Sequence, residues 1–539
     1  MKNFTTTLAA SLLGASMLTG AAYAATVAAG DTLAADQTFT YTGIDEFSSL
    51  DPQIVEDVSG SEVIRDLFEG LMNQDAEGNL IPGVATGYDV SDDRLTYTFH
   101  LRDNAKWSDG KPVTAGDFVY GWRRLVDPAT ASPYSWYGEL MAIEGVGAVM
   151  AGDATPDTLG VKAIDDTTLE VKLTAPLPYF PQMVVHASTF PSPQWAIEEF
   201  GDSWTDPEHI VSNGAYVLTE HVAGERTVRE RNPMYWNNDE TVIEKVVYLI
   251  IGDENTALTR YLAGELDRAP VPTGQYPRLA EEYPDQAASF PSLCTYYYTF
   301  NMTESGPEAF RDVRVRQALS YALDRSVITE KVTQGGQIQA YTFTPGATAG
   351  FNVPDVAYAS MSQDERNAAA NALLADAGYG SDNPLSFTLL YNTSEGHKKI
   401  AIAASQLWKS NLGVSVELAN MEWKTFLEER GNQNFDMARG GWCGDYNEAS
   451  TFLDLLTSTS GYNDGKFASD EVDQLMADAK FADDAAPNYT RVEEILAAEM
   501  PVIPIYHYTS VAMMNPKVKN WPVNNVQQNW YSRDLYIAE

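Results

Sequence analysis

Between Leu385 and Glu448 the hydrophobic repeat switches between a period of two and a period of three to four, and this switching narrows the fold most. Leu385–Tyr391 is an apolar, strand-like run. Ile400, Ala404, Leu407 and Trp408 fall on one helical face, and Gly413 stops that helix. Val414, Val416 and Leu418 alternate as a strand does. A short helical stretch covers Trp423–Arg430, and another strand begins at Phe435. The result is a βαβαβ unit. Open α/β sheets bind ligands beyond the carboxyl ends of their strands. Ala438–Glu448 falls at such an end. Its loop is expected to hold a cation, a glycine pair, an indole, a thiol and a carboxylate: Arg439, Gly440, Gly441, Trp442, Cys443 and Asp445.

A chain of 539 residues exceeds what one core serves, so two or three domains are expected. The first 24 residues read as an export signal. Lys2 gives the positive start, Leu8 to Leu18 the apolar run, and Ala22-Tyr23-Ala24 the cleavage site. The mature chain then begins at Ala25. No later apolar run is long enough to span a bilayer, so a soluble, exported protein is expected. The formal charge of −40 becomes one unit more negative when Lys2 leaves. Such a surface repels nucleic acid and anionic lipid, and it serves solubility. Cys294 and Cys443 are the two cysteines. In an exported chain an even count favours a bridge, with two buried free thiols as the alternative.

The rest of the chain alternates in the same way. Val63 to Leu71 is apolar at helical spacing. Leu95, Tyr97, Phe99 and Leu101 make a half-buried strand, as do Leu169, Val171 and Leu173, and Val246, Tyr248 and Ile250. Residues 25–40 read as an extended lead-in. Thr114 opens a helix, and Ser362-x-x-Glu365 opens another that Gly378 ends. Tyr296–Asn301 and Met500–Tyr508 are strands, and Val313–Leu323 is a helix. There is no internal repeat. The class is α/β with two lobes.

Several stretches occur together and in order: 102–120, Asn213-Gly214-Ala215-Tyr216, Asn232–Asn237, Arg314–Leu319, Tyr391–Ser394, Glu422–Phe426 and Gly441–Glu448. With them the chain resembles the peptide/nickel-binding family of periplasmic solute receptors, in its oligopeptide-binding branch. The resemblance runs from about Asp45 to the C-terminus. It implies a two-lobed periplasmic binding protein fold with a hinge and an accessory domain. Lobe one would be discontinuous (25–68, 193–293, 510–539), the accessory domain 69–192, and lobe two 294–509. It implies a monomeric periplasmic receptor that delivers short peptides to the permease subunits of an inner-membrane ABC transporter. Murein tripeptide is the alternative cargo.

The same resemblance assigns residues. Asp445 pairs with the peptide ammonium. Arg439 and His397 meet the carboxylate of a short peptide, and Arg430 lies near that end. Gly440, Gly441, Trp442 and Cys443 offer main-chain groups to an extended ligand. Glu56 and Val58 grip it from the other lobe, while Trp423, Trp442, Tyr134 and Tyr297 line side-chain pockets. His186 is a further candidate. Each has a plainer reading from local sequence: Asp445 as a loop acid, His397 as an exposed helix residue, the aromatics as core. Thr299 and Thr333 stand where the family's oligopeptide receptors carry an acid and a lysine, which weakens the case for long peptides. No metal or cofactor is expected, since the six histidines are scattered. An exported hydrolase is the competing class, but no His-Glu-x-x-His, Gly-x-Ser-x-Gly or Walker loop occurs.

Overall fold

The structure, a computed structural model, describes residues 25–539. The expected export signal at 1–24 lies outside the described residues. Two long antiparallel strands, Ala287–Phe300 and Val502–Met514, occupy the middle of a sheet that runs through both lobes. A strand of 14 residues spans about 45 Å, well beyond the usual length, so the pair crosses from one lobe into the other. On one flank lie Met437–Cys443, Ser386–Asn392 and Ser415–Met421. On the other lie Arg268–Pro270, Thr38–Gly43, Lys245–Ile250, Arg226–Arg231 and Tyr216–Val222.

The crossing pair changes register at the waist. Pro291 faces Thr509 and Thr295 faces His507, so one strand carries extra residues there. Proline donates no ladder hydrogen bond, and the sheet is weakest where the chain must flex. Beyond the waist, Tyr296, Tyr298, Phe300, Phe387, Trp408 and Ile503 share one buried core. The expected βαβαβ unit is present. Ser386–Asn392 pairs in parallel with Ser415–Met421 and, for two residues, with Met437–Cys443. Helix Glu395–Leu412 makes the first crossover, and Gly413 closes it at φ 70°. The expected capping box forms at Ser362 with Glu365; Thr114 opens its helix as expected and also forms a capping box with Asp117.

Three expectations change. The lead-in carries a central strand, Thr38–Gly43, parallel to Lys245–Ile250. Residues 85–172 hold an antiparallel sheet in the order Ala85–Val90, Thr96–Leu101, Thr168–Lys172, Val161–Asp165, not an α/β alternation. The stretch Arg439–Cys443 is strand, not loop, because Ala287–Phe300 pairs with all of it. Among the described residues, no helix is long and apolar enough to cross a membrane.

Cys294 and Cys443 stand directly opposite in that antiparallel pair and form a disulfide, with Cα atoms 4.0 Å apart. The bridge closes a span of 149 residues, and such cross-links restrict the unfolded chain. Replacing both cysteines by serine should cost about 2–5 kcal/mol in urea unfolding. Non-reducing peptide mapping should recover both positions in one linked fragment.

Candidate functional site

A cavity of about 460 Å³ lies between the lobes. On one side, helix Val58–Leu67 begins at its wall. Asp57 caps the helix, accepting from the Gly60 N–H at 2.6 Å. The cap fixes Glu56 and Val58 facing the void, and Val58 stays 55% exposed, an apolar side chain left open in a cleft. Glu56 accepts from the Tyr462 hydroxyl at 3.0 Å, a contact between the lobes.

The opposite wall is strand Met437–Cys443. Gly444 donates to the Leu293 carbonyl, and the short Cα separation at Cys294–Cys443 marks a non-hydrogen-bonded pair. The main-chain groups of Cys443, Gly441 and Arg439 therefore turn away from Ala287–Phe300. On that outer side Ser386–Asn392 reaches only Met437 and Ala438. A bare strand edge is left along the cavity, the geometry that accepts an added strand. Gly440 and Trp442 do not serve this edge, contrary to expectation, because their main-chain groups face the ladder. Gly440 instead lies against the Tyr297 ring, which a Cβ would meet at 2.3 Å. Gly441 leaves room for the Arg439 guanidinium, 2.7 Å from where its Cβ would stand.

Asp445 sits at one end. Its Oδ1 accepts from the Tyr134 hydroxyl at 3.3 Å and lies 3.5 Å from His186 Nε2, while Oδ2 is buried with no partner among the described residues. Burial lifts its pKa to about 8, against the partial relief of the Tyr134 hydrogen bond. Burial, with the charge of Arg65, holds His186 down to about 3. The two are thus a neutral contact, not an ion pair, until a cation arrives. Tyr134 stacks on His186 and lies parallel to Trp442, whose indole lines the same corner.

Arg439 sits towards the other end. Its guanidinium donates to Tyr508 at 2.7 Å and to Asn392 at 3.4 Å, and Nε is left buried and unpartnered. Among the described residues it makes no ion pair. His397, half-buried near the start of its helix, has an unpartnered Nδ1. Burial and the neighbouring Arg439 charge hold it well below the ordinary histidine range. Trp423 completes this wall.

The structure thus gathers Asp445, Arg439, His397, Glu56, Val58, Gly441, Trp442, Cys443, Trp423, Tyr134 and His186 around one void. It places Gly440, Tyr297 and Arg430 outside that lining. Tyr297 packs edge-on against Phe343, and Arg430 is bound to Asp464 at 2.8 Å, both side chains buried. Thr333 turns its hydroxyl to Gln337 and to its own helix. Sequence reasoning missed Asp45, Asn392 and Tyr508. The last two end strands it had found; Asp45 follows a strand it had read as lead-in.

Two lobes, a crossing strand pair and a buried cleft define a hinged solute receptor. Residues 79–464 match the bacterial extracellular solute-binding proteins, family 5, and the chain belongs to that family. It is 47% identical to the periplasmic oligopeptide-binding protein OppA of Escherichia coli K12, over 99% of this chain and 98% of that one. The solved Escherichia coli murein tripeptide binding protein MppA superposes with a TM-score of 0.92 at 46% identity, covering 94% of this chain and 99% of that one. The unliganded open form of MppA gives 0.69 at the same identity, covering 95% and 99%. The structure described here is therefore the closed arrangement.

Closure without ligand should depend on pH. Asp445 holds a proton up to about pH 8 when buried, but only to its ordinary 3.8 in water. The closed form therefore binds the extra proton, and that bias is lost as pH rises through 8. Below about 6.5 His186 and His397 oppose closure, since both lose their proton on burial. Small-angle scattering on ligand-free protein should show expansion between pH 6.5 and 8.5. Asp445→Asn should remove that dependence.

Proposed function

We propose that this chain is a non-enzymatic, monomeric receptor of the periplasm. It captures short peptides between its lobes and delivers them to the permease subunits of an inner-membrane ABC transporter. One observation carries the reading: an acid without a cation and a guanidinium without an anion flank a bare strand edge in one closed cavity. A peptide supplies an ammonium, a strand of amides and a carboxylate, which are the three missing partners. OppA and MppA are named for peptide ligands, and the wall residues suit that class. Asp445 would take the ammonium, Gly441 and Cys443 the main chain, and Arg439 with His397 the carboxylate. Glu56, Val58, Tyr134, Trp423 and Trp442 would surround the side chains.

The lobes we assign are 25–68 with 193–293 and 510–539, and 294–509, with 69–192 as the accessory domain. The register change at Pro291–Thr295 and the separate antiparallel sheet at 85–172 support these limits. Murein-derived peptide is the second reading. It is favoured by equal identity, 47%, to the murein peptide-binding protein, and by the lack of a lysine at Thr333 for a longer ligand.

Asp445→Ala should weaken every free tripeptide by roughly 2–5 kcal/mol in calorimetry, the scale of breaking a buried charge pair. N-acetylating the ligand should cost wild type about as much, and the variant far less, because one interaction is lost only once. Equal binding of free and acetylated tripeptides by wild type would overturn the assignment of Asp445.

A further inference from the structure

Asp45 faces the same cavity as Arg439, and the reading of peptide ends leaves it unused. It follows strand Thr38–Gly43 on the first lobe and is half-buried. The Tyr248 hydroxyl steadies its main chain by donating to the Asp45 carbonyl at 3.2 Å. Asn392, from the opposite lobe, lies between the two charges: its Oδ1 accepts from Arg439, and its side chain also reaches Asp45. Among the described residues Asp45 makes no ion pair, and its other charged neighbours, Glu422 and Asp57, are acids. Closure therefore brings an acid and a guanidinium to one corner of the void without joining them.

A ligand that ends in a bare carboxylate satisfies Arg439 but brings a second negative charge towards Asp45. A ligand that carries an ammonium beside that carboxylate satisfies both. Resting on the peptide-receptor reading above, we propose that Asp45 and Arg439 form a corner for a zwitterion. It selects ligands whose end remote from Asp445 is a free α-amino-acid head group. A diamino dicarboxylic residue joined to the peptide through only one of its amino-acid ends has this chemistry. The distal carboxylate meets Arg439, with Tyr508 and His397 beside it, and the distal ammonium meets Asp45. Burial, then the Glu422 charge, lifts the Asp45 pKa to about 6, which fits an acid short of a counter-charge. A plain peptide still binds, through its ammonium, its amides and Arg439, but less tightly.

Calorimetry with three probes tests this: trialanine, a tripeptide ending in diaminopimelate, and the same tripeptide with the distal amine removed. Wild type should prefer the amine-bearing probe over its deaminated form by about tenfold or more, the scale of one partly buried charge pair. Asp45→Asn should bring that preference below about threefold. Circular dichroism and thermal melting establish that the variant is folded. Trialanine binding with no preference between the other two probes would overturn the corner and leave the receptor standing. An undiminished preference in Asp45→Asn would likewise overturn the role of Asp45. Failure of all three probes to bind wild type would overturn the receptor reading and the corner with it.

Discussion

A buried charge or polar group must find a partner, and this closed structure leaves several without one among the described residues. Asp445 keeps a proton and an unpaired oxygen; Arg439 keeps an unpaired nitrogen and no anion. A neutral buried group left unsatisfied costs about 1–3 kcal/mol, and an unpaired buried charge costs more. Aromatic walls meet across the cleft, as in the edge-on contact of Tyr134 with Tyr462, but that contact gives Asp445 and Arg439 no partner. The complement that would supply both is a short dipolar chain. Fold and ligand are in this sense complementary parts of one structure.

The waist makes that coupling mechanical. Only two continuous strands lie at the centre of the sheet, and their register breaks where Pro291 interrupts the ladder. A ladder with missing bonds bends at little cost, whereas the cores on either side are close-packed and move as bodies. The disulfide sits within this break, at Cys294, and fastens the binding strand to the crossing strand there. It ties the wall that carries Arg439 and Gly441 to the waist itself.

Much of this was legible in the sequence. The period switches at Leu385–Glu448 gave the parallel unit, and Gly413, Thr114 and Ser362 marked helix ends that the backbone confirms. The antiparallel sheet at 85–172 was not legible as such, because alternation reports a half-covered strand and not the direction of its neighbour. The strand nature of Arg439–Cys443 was hidden for a related reason. Its partner, Ala287–Phe300, lies about 150 residues away, and glycines argue locally for a loop. Arg430 and Tyr297 were drawn to the cavity by resemblance, but a nearby acid and a phenyl ring hold them elsewhere. Asp45 escaped notice because a lone aspartate after a short strand carries no local signal.

The bare edge of Arg439–Cys443 has a further consequence. Outward main-chain groups recur at every second residue, about 7 Å apart. A guest chain can therefore dock only in steps of two residues, since a shift of one would invert the handed arrangement of every side chain along it. Such an edge measures its guest with a ruler of fixed pitch. It would also sense backbone chemistry directly: a methylated amide at a docking position has no N–H to give the edge, whatever side chain it bears.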